Sequence, residues 1–304
     1  MTTTNAGERI AFIGLGTMGQ PMARRLAEAG HALSLFDIDA AVVQRLAQEF
    51  GATAAASPVE AAKGASIVIT MLPSSKEVDA TILGVAGAPG VPGAPGVLSV
   101  LAPGSFVIDM SSSDPMRTRA LAETVAKAGS TLVDAPVSGA VRRARDGTLS
   151  IMFGGAEASL DRLRAVLSAM GTQIFHVGAD GAGHAMKALN NYVSAAALVS
   201  TVEALHVGEK FGIDPAVMTK VFNASTGKNN TTENKVAQFM LSGKYDSGFL
   251  LALMAKDVGI AIGLAETLGI DAPMGHVCAD LWREAAAGSP RTTDHTEMYH
   301  LLRD

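Results

Sequence analysis

The sequence predicts a chain in two parts: an α/β half built on a doubly wound sheet, then one long helix that leads into an all-α half. Up to Gly178, short apolar runs of strand length alternate with amphipathic stretches of helical period, the pattern of βα units on a parallel sheet. From Gly183 onward only the helical period remains. The length, 304 residues with 48% apolar and 17% charged side chains, also exceeds what one compact unit usually holds. Two domains are therefore expected, 1–178 and 179–304.

The first strand is Ile10–Ile13, followed by the glycines of Gly14-Leu15-Gly16-Thr17-Met18-Gly19 and a helix whose apolar face carries Met22, Ala23, Leu26 and Ala27. In this strand–glycine–helix order the first glycine allows a tight turn and the second lets a pyrophosphate approach the backbone. The third lets the helix pack on the strand. The helix start then offers free N–H groups to phosphate. A second strand, ALSLFDID, reaches an acid at Asp37, about twenty residues beyond Gly16, where a carboxylate accepts from the adenosine ribose hydroxyls and repels a 2′-phosphate. This is a Rossmann-like dinucleotide site, with NAD preferred over NADP. The competing reading is a structural glycine turn with Asp37 capping the next helix.

Alternation continues in ASIVITMLP, where Ile67–Met71 is apolar throughout, as in a parallel strand covered on both faces, and Pro73 stops it. SFVIDMSSSDP, STLVDAPVSGA, TLSIMFGG and Ile174–Gly178 follow as further strands. Ligands of open α/β sheets bind at strand ends of this kind, so Met71, Leu72, Pro73 and Ser112 are candidates to line the cofactor. The Pro/Gly-rich stretch Gly84–Val100 is expected to be a surface loop.

The long helix runs from Gly183 to Phe211, closes at Gly212 and restarts at Asp214-Pro215. Helical runs follow at Val236–Leu241, Phe249–Leu268 and Pro273–Ala287, with a short tail helix after Asp294. The layout implies a cleft with the long helix as its spine. Lys187 and Asn191, four residues apart, share one face of that helix, which offers a proton carrier and an amide together. A solvated or snorkelling lysine has the same sequence pattern.

Composition removes other classes. A net charge of −5, with no basic run longer than Arg142-Arg143, leaves no footprint for nucleic acid or an anionic membrane. Cys278 is the single cysteine, without a disulfide partner or metal-ligand spacing, which fits a reducing compartment. The opening residues lack a secretory signal, and no apolar run is long enough to span a bilayer. The expectation is a soluble, cytoplasmic protein with a frayed tail over residues 1–8.

Taken in order, IAFIGLGTMGQPMARRL, DAPVSGA with GTLSIMFGG, GHAMKALNN, and FLLALMAKD from Phe249 to Asp257 resemble the β-hydroxyacid dehydrogenase family, the 3-hydroxyisobutyrate dehydrogenase and tartronate semialdehyde reductase group. The resemblance implies NAD-dependent oxidation or reduction at a CH–OH group of a small 3-hydroxy acid or its semialdehyde. It makes Lys187 the catalytic lysine and Asn191 the amide that orients substrate. It gives Ser138, Gly139 and Ala140 to the loop that grips the substrate carboxylate, Lys256 to the vicinity of nicotinamide and substrate, and Phe249 to closure of the pocket. No metal is implied, because the lysine supplies the positive charge at the developing alkoxide. A homodimer or homotetramer is expected.

Two positions depart from the family pattern: glycines are usual where this chain has Ala140 and Arg143. A Cβ at Ala140 narrows the space beside the substrate anion. Arg142 or Arg143 is a candidate to bind a second anionic group, against the alternative of a solvated pair. His176 and His184 read as structural, since no acid stands at a helical spacing from His184. Met186, Met218, Met240, Met254 and Met274 read as core filling. Asn229 and Asn230 are left open as edges of the pocket. Two rival functions remain at this point, an imine reductase of similar architecture and a non-catalytic dinucleotide-binding sensor.

Overall fold

The computed structural model describes residues 7–87 and 93–303. The chain divides into two compact units, Met1–Lys187 and Ala188–Asp304, so the division falls inside the long helix.

The first unit opens with β1 (Arg9–Ile13), α1 (Gly19–Glu28), β2 (Ala32–Phe36), α2 (Ala40–Phe50), β3 (Thr53–Ala54), α3 (Pro58–Ala62), β4 (Ile67–Thr70) and α4 (Ser75–Leu83). A two-stranded ribbon, β5 (Gly84–Val85) and β6 (Ala94–Pro95), separates these from β7 (Phe106–Asp109), α5 (Pro115–Lys127) and β8 (Thr131–Asp134). Then come β9 (Val137–Ser138), α6 (Ala140–Asp146), β10 (Leu149–Gly154), α7 (Glu157–Met170) and β11 (Gly171–Gly178).

Along β1, Ile10 and Phe12 face one core with Met22 and Leu26 of α1, Leu46 of α2 and Leu163 of α7. Ala11 and Ile13 face the other, with Ala61 of α3, Val78 of α4 and Leu121 and Val125 of α5. Successive strand residues point to opposite faces, and helices cover both, which is why the strand runs are apolar without alternation. The sheet order is β11-β10-β8-β7-β4-β1-β2-β3. From β3 to β8 every pairing is parallel.

Beyond β8 the sheet departs from the parallel expectation: β10 pairs antiparallel with both β8 and β9, while β11 runs parallel to β10. The connection from β8 to β10 holds the short strand β9, which turns back to pair with β10 through Ser138 and Ser150, and the seven-residue helix α6, so β10 enters the sheet reversed. The last strand also starts at Gly171, three residues before the apolar run at Ile174: Gly171 is buried against β10, paired with Leu149, where a Cβ would strike the Leu149 carbonyl oxygen.

Two local expectations are corrected. Of the segment expected to fray, residues 1–6 lie outside the described residues, but Glu8 is tied down. Its N–H donates to His31 Nδ1 at 3.1 Å, and its carboxylate accepts from Ser66 Oγ and meets Arg162, both at 2.6 Å. Of the expected loop Gly84–Val100, residues 88–92 lie outside the described residues, while its flanks pair antiparallel as β5 and β6 and a 3₁₀ turn covers Val97–Ser99. Pro95 is tolerated in so short a ribbon because an edge position needs no N–H.

α8 (Ala182–Phe211), 30 residues long, begins in the first unit. In the second follow α9 (Pro215–Ala224), α10 (Asn230–Asn234), a π-helical turn at Val236–Met240, α11 (Leu251–Thr267), α12 (Pro273–Ala287) and α13 (Met298–Leu301). Asp214 caps α9 by accepting from Ala216 N at 2.7 Å, with Pro215 in the first turn, as the sequence signal predicts. Leu198, Val202 and Leu205 of α8, Met254, Val258 and Ile262 of α11, and Trp282 of α12 form the core of this unit.

Met240 and Met254 are buried, whereas Met186 and Met274 are 41% and 58% exposed and do not fill a core. Helical spacing alone does not tell which face of a helix is covered. Among the described residues no helix is long and apolar enough to cross a membrane.

Candidate active site

Within the first unit, the carboxyl ends of the central parallel strands bring the glycine loop, Asp37, Met71, Leu72, Pro73 and Ser112 to one edge of the sheet. Register aligns Ile13 with Phe36 and Thr70, and Thr70 with Asp109, so the segments after them leave the sheet at one edge. Gly14 has φ +99°, and a Cβ there would collide with the Met71 carbonyl oxygen. Gly14 N donates to Phe36 O and Met71 N to Ile13 O, each at 2.9 Å, and Leu72 N donates to Ser111 Oγ at 2.9 Å beside Ser112. Asp37 Oδ2 accepts from Leu15 N at 2.6 Å, tying the acid to the glycine loop. The helix after β2 is capped by Asp39 and not by Asp37, so the capping alternative for Asp37 fails.

This cradle fits a dinucleotide. A Cβ at Gly16 would project into open space, and no side chain caps the start of α1 at Met18, which leaves backbone donors of a helix start for a phosphate. The side-chain oxygens of Asp37 are placed where ribose hydroxyls are recognised in such sites. Among the described residues no group of three or more His, Cys, Asp or Glu is placed to hold a metal ion.

A buried carboxylate holds the start of α8. Asp134, at the end of β8 and 0% exposed, accepts from Gly181 N through Oδ1 and from His184 N through Oδ2, both at 2.7 Å. It thus caps α8 from a different element, with its negative charge at the positive end of the helix. A Cβ at Gly183 would strike Asp134 Oδ2 and the Met152 carbonyl, so only glycine permits this approach. Burial and the Asp134 charge both push the neighbouring Asp180 carboxyl above its ordinary range.

His184 is buried between Asp134 Oδ2, 3.8 Å from Nδ1, and Asp109 Oδ2, 3.6 Å from Nε2, with Thr118 Oγ1 at 2.8 Å from Nδ1. It does therefore have acidic neighbours, supplied by strands and not by its own helix. Asp109 is held in turn by the hydroxyls of Thr70 and Ser113. His176 meets the Gly155 carbonyl at 2.7 Å, a structural contact.

Lys187 follows this clamp within the same helix and is 9% exposed, which the solvated-lysine alternative does not describe. Ser138 lies in β9, paired with Ser150, and leads into Gly139 at φ +133° and Ala140 at φ +55°. Ala140 therefore occupies left-handed backbone at about 1–2 kcal/mol. The Arg143 side chain packs against Gly139, where a Cβ would lie 2.8 Å from Arg143 Cβ.

In the second unit, buried Asn191 donates from Nδ2 to Oδ2 of buried Asp257 at 2.6 Å, and Lys256 Nζ lies 3.7 Å from Asp257 Oδ1. A carboxylate only accepts, so Asp257 fixes which end of the Asn191 amide is which. Phe249 stands edge-on to His295, with ring centroids 5.6 Å apart. Asn229 is the N-cap of α10 in a capping box with Thr232 and donates to Thr201 Oγ1 at 3.1 Å, so it braces the helix.

Sequence reasoning did not single out Asp134, Asp109 or Asp257. Asp134 and Asp257 both stand inside motifs quoted above, and a carboxylate ending an apolar strand was the available signal for the first.

Two family models match the chain: the NAD binding domain of 6-phosphogluconate dehydrogenase over residues 9–178, and the NAD-binding domain of NADP-dependent 3-hydroxyisobutyrate dehydrogenase over residues 181–302. A 3-hydroxyisobutyrate dehydrogenase of Pseudomonas aeruginosa is 39% identical, covering 90% of each chain. A 2-(hydroxymethyl)glutarate dehydrogenase of Eubacterium barkeri is 36% identical, covering 92% of this chain and 89% of its own. The structure of Mycobacterium tuberculosis 3-hydroxyisobutyrate dehydrogenase with L-serine superposes with a TM-score of 0.87 at 33% identity, covering 98% of this chain and all of that one.

Proposed function

The chain belongs to the β-hydroxyacid dehydrogenase family, and from that premise we propose how its own residues carry the reaction. It is an oxidoreductase of the CH–OH group of small hydroxy acids and uses NAD. Bound NAD supplies the hydride acceptor in oxidation and the donor in reduction. Gly14 to Gly19, Asp37, Met71, Leu72, Pro73 and Ser112 hold it, with Lys256 at its reacting end.

Lys187 is the proton carrier. In oxidation its neutral amine takes the hydroxyl proton as the C–H bond breaks. In reduction its ammonium protonates the oxygen that becomes the alcohol. Asn191 positions that oxygen with the hydrogen-bonding capacity Asp257 leaves it, and the Ser138 hydroxyl with the Gly139 and Ala140 backbone takes the substrate carboxylate through charge-assisted bonds. The observation that carries this reading is a buried lysine followed one turn later by a buried, carboxylate-oriented asparagine.

The substrate is placed no more finely than a β-hydroxy acid. Relatives are named for a monocarboxylate and for a dicarboxylate, and Ala140 and Arg143 alter the loop that would tell them apart. NADH absorbance over a panel of hydroxy acids, semialdehydes and cyclic imines tests the proposal. Turnover of β-hydroxy acids is expected. Turnover of imines alone would make the chain an imine reductase, and binding of NAD without turnover would make it a sensor.

Assembly into a dimer or tetramer belongs to the same reading, supported by exposed Val193, Val207 and Phe211 on α8 and Val217 and Val221 on α9. Sedimentation velocity reads it directly, and a monomer at micromolar concentration contradicts it. A cytoplasmic location is likewise inferred, and cell fractionation tests it.

A further inference from the structure

The second unit carries a cation that the mechanism above leaves unused. Lys235 stands where α10 ends and the π-helical turn begins, with φ −126° and ψ −44°. Turns of this type recur at functional sites. The bond from Asn229 to Thr201 pins α10 to α8, and Lys235 Nζ reaches Ser194 Oγ on α8 at 3.4 Å. That long contact with a neutral hydroxyl is its one hydrogen bond, and it has no salt bridge, among the described residues.

Burial pushes the Lys235 ammonium down to about 8, against the pull of Asp294. Asp294 is itself fully engaged, accepting from Ser247 Oγ, Gly248 N, Phe249 N, and both the N–H and hydroxyl of Thr296. Those bonds, with His295, hold its carboxyl well below the carboxylate range despite burial. His295, the other ionisable neighbour, is pushed by burial toward its neutral form. A half-buried ammonium with no ion pair is costly, and a ligand that brings a negative charge offsets that cost.

The place of Ser194 says which part of a ligand this is. It follows Asn191 by three residues and Lys187 by seven, so at 100° per residue the three side chains span about 60° of arc. With a rise of about 1.5 Å per residue, Ser194 lies about 4.5 Å beyond Asn191 and about 10 Å beyond Lys187 along the axis. Base, amide and then hydroxyl with cation form one row.

Resting on the assignment of Lys187 and Asn191 above, we propose that Lys235 and Ser194 form a second anion-recognition point that selects β-hydroxy acids bearing a second carboxylate remote from the reacting hydroxyl. A monocarboxylate leaves the lysine without a charged partner. A dicarboxylate gives it one and gains a charge-assisted hydrogen bond, about 10- to 100-fold in affinity.

Calorimetric titration of glutarate and butyrate into the NAD-bound protein tests this without turnover. Glutarate is expected to bind the native chain about 10- to 100-fold more tightly than butyrate. Lys235→Met should abolish that ratio while leaving butyrate affinity unchanged, Lys235→Arg should restore part of it, and Ser194→Ala should reduce it. Lys244→Met, the same charge change at an exposed site, should leave it intact. Equal affinity of the native chain for both probes, or a ratio that survives Lys235→Met, overturns the proposal. Because binding is the readout, failure to oxidise any hydroxy acid would sink the dehydrogenase mechanism and still leave this ratio to decide the second site.

Discussion

Lys187→Met is expected to lower kcat for oxidation of a β-hydroxy acid by about 10²- to 10⁴-fold, the usual worth of a positioned general acid or base, with NAD affinity unchanged. Methionine keeps the length and helix propensity of the side chain and removes only the titratable nitrogen. The glycine loop and Asp37 belong to other elements, so the cofactor cradle is untouched. In the native enzyme, oxidation should accelerate as pH rises and the amine loses its proton, and reduction should slow over the same range. Lys187→Met should flatten both limbs. A kcat within threefold of native, or a pH profile that survives the substitution, would show that another group moves the proton.

Asp134→Ala is expected to give the largest loss of stability among single substitutions at the site. Two buried backbone donors, Gly181 N and His184 N, lose their acceptor at once. Each such orphan costs about 1–3 kcal/mol, so about 2–4 kcal/mol is expected after partial relaxation. For a chain of 304 residues that is a drop in Tm of about 3–6 °C. Asp134→Asn keeps one oxygen and should lose roughly half as much. Activity should follow, because Lys187 sits one turn past His184 and inherits the position of the helix start: kcat falls while KM for NAD holds. Amide exchange at Gly181 and His184 reads the clamp directly. Unchanged exchange in Asp134→Ala would show that the carboxylate is incidental.

The parts legible in the sequence are those whose partners are near in the chain. The glycine loop, Asp37 at the end of its strand, and the pair Lys187 and Asn191 depend on spacing within one strand–helix unit or one helix. The supports of those residues join distant segments. Asp134 and His184 are 50 residues apart, and Asn191 and Asp257 are 66 apart. Their letters stood in the quoted motifs without a stated task, since local pattern does not reveal that a strand-end acid will cap a later helix. The antiparallel β10 was missed for a related reason: an apolar run identifies a strand and leaves its direction open. Met186 and Met274 show the same limit on helices, where periodicity marks faces without telling which one is covered.

The central claim is that the amine of Lys187 exchanges a proton with the oxygen at the reacting carbon. A crystal structure of the chain with NAD and an unreactive β-hydroxy acid analogue measures it most directly. The account predicts Lys187 Nζ at hydrogen-bonding distance, about 2.6–3.2 Å, from the hydroxyl oxygen, with the Asn191 amide on the same oxygen. Finding that amine turned away from the bound acid, with the hydroxyl held by some other side chain, would contradict it.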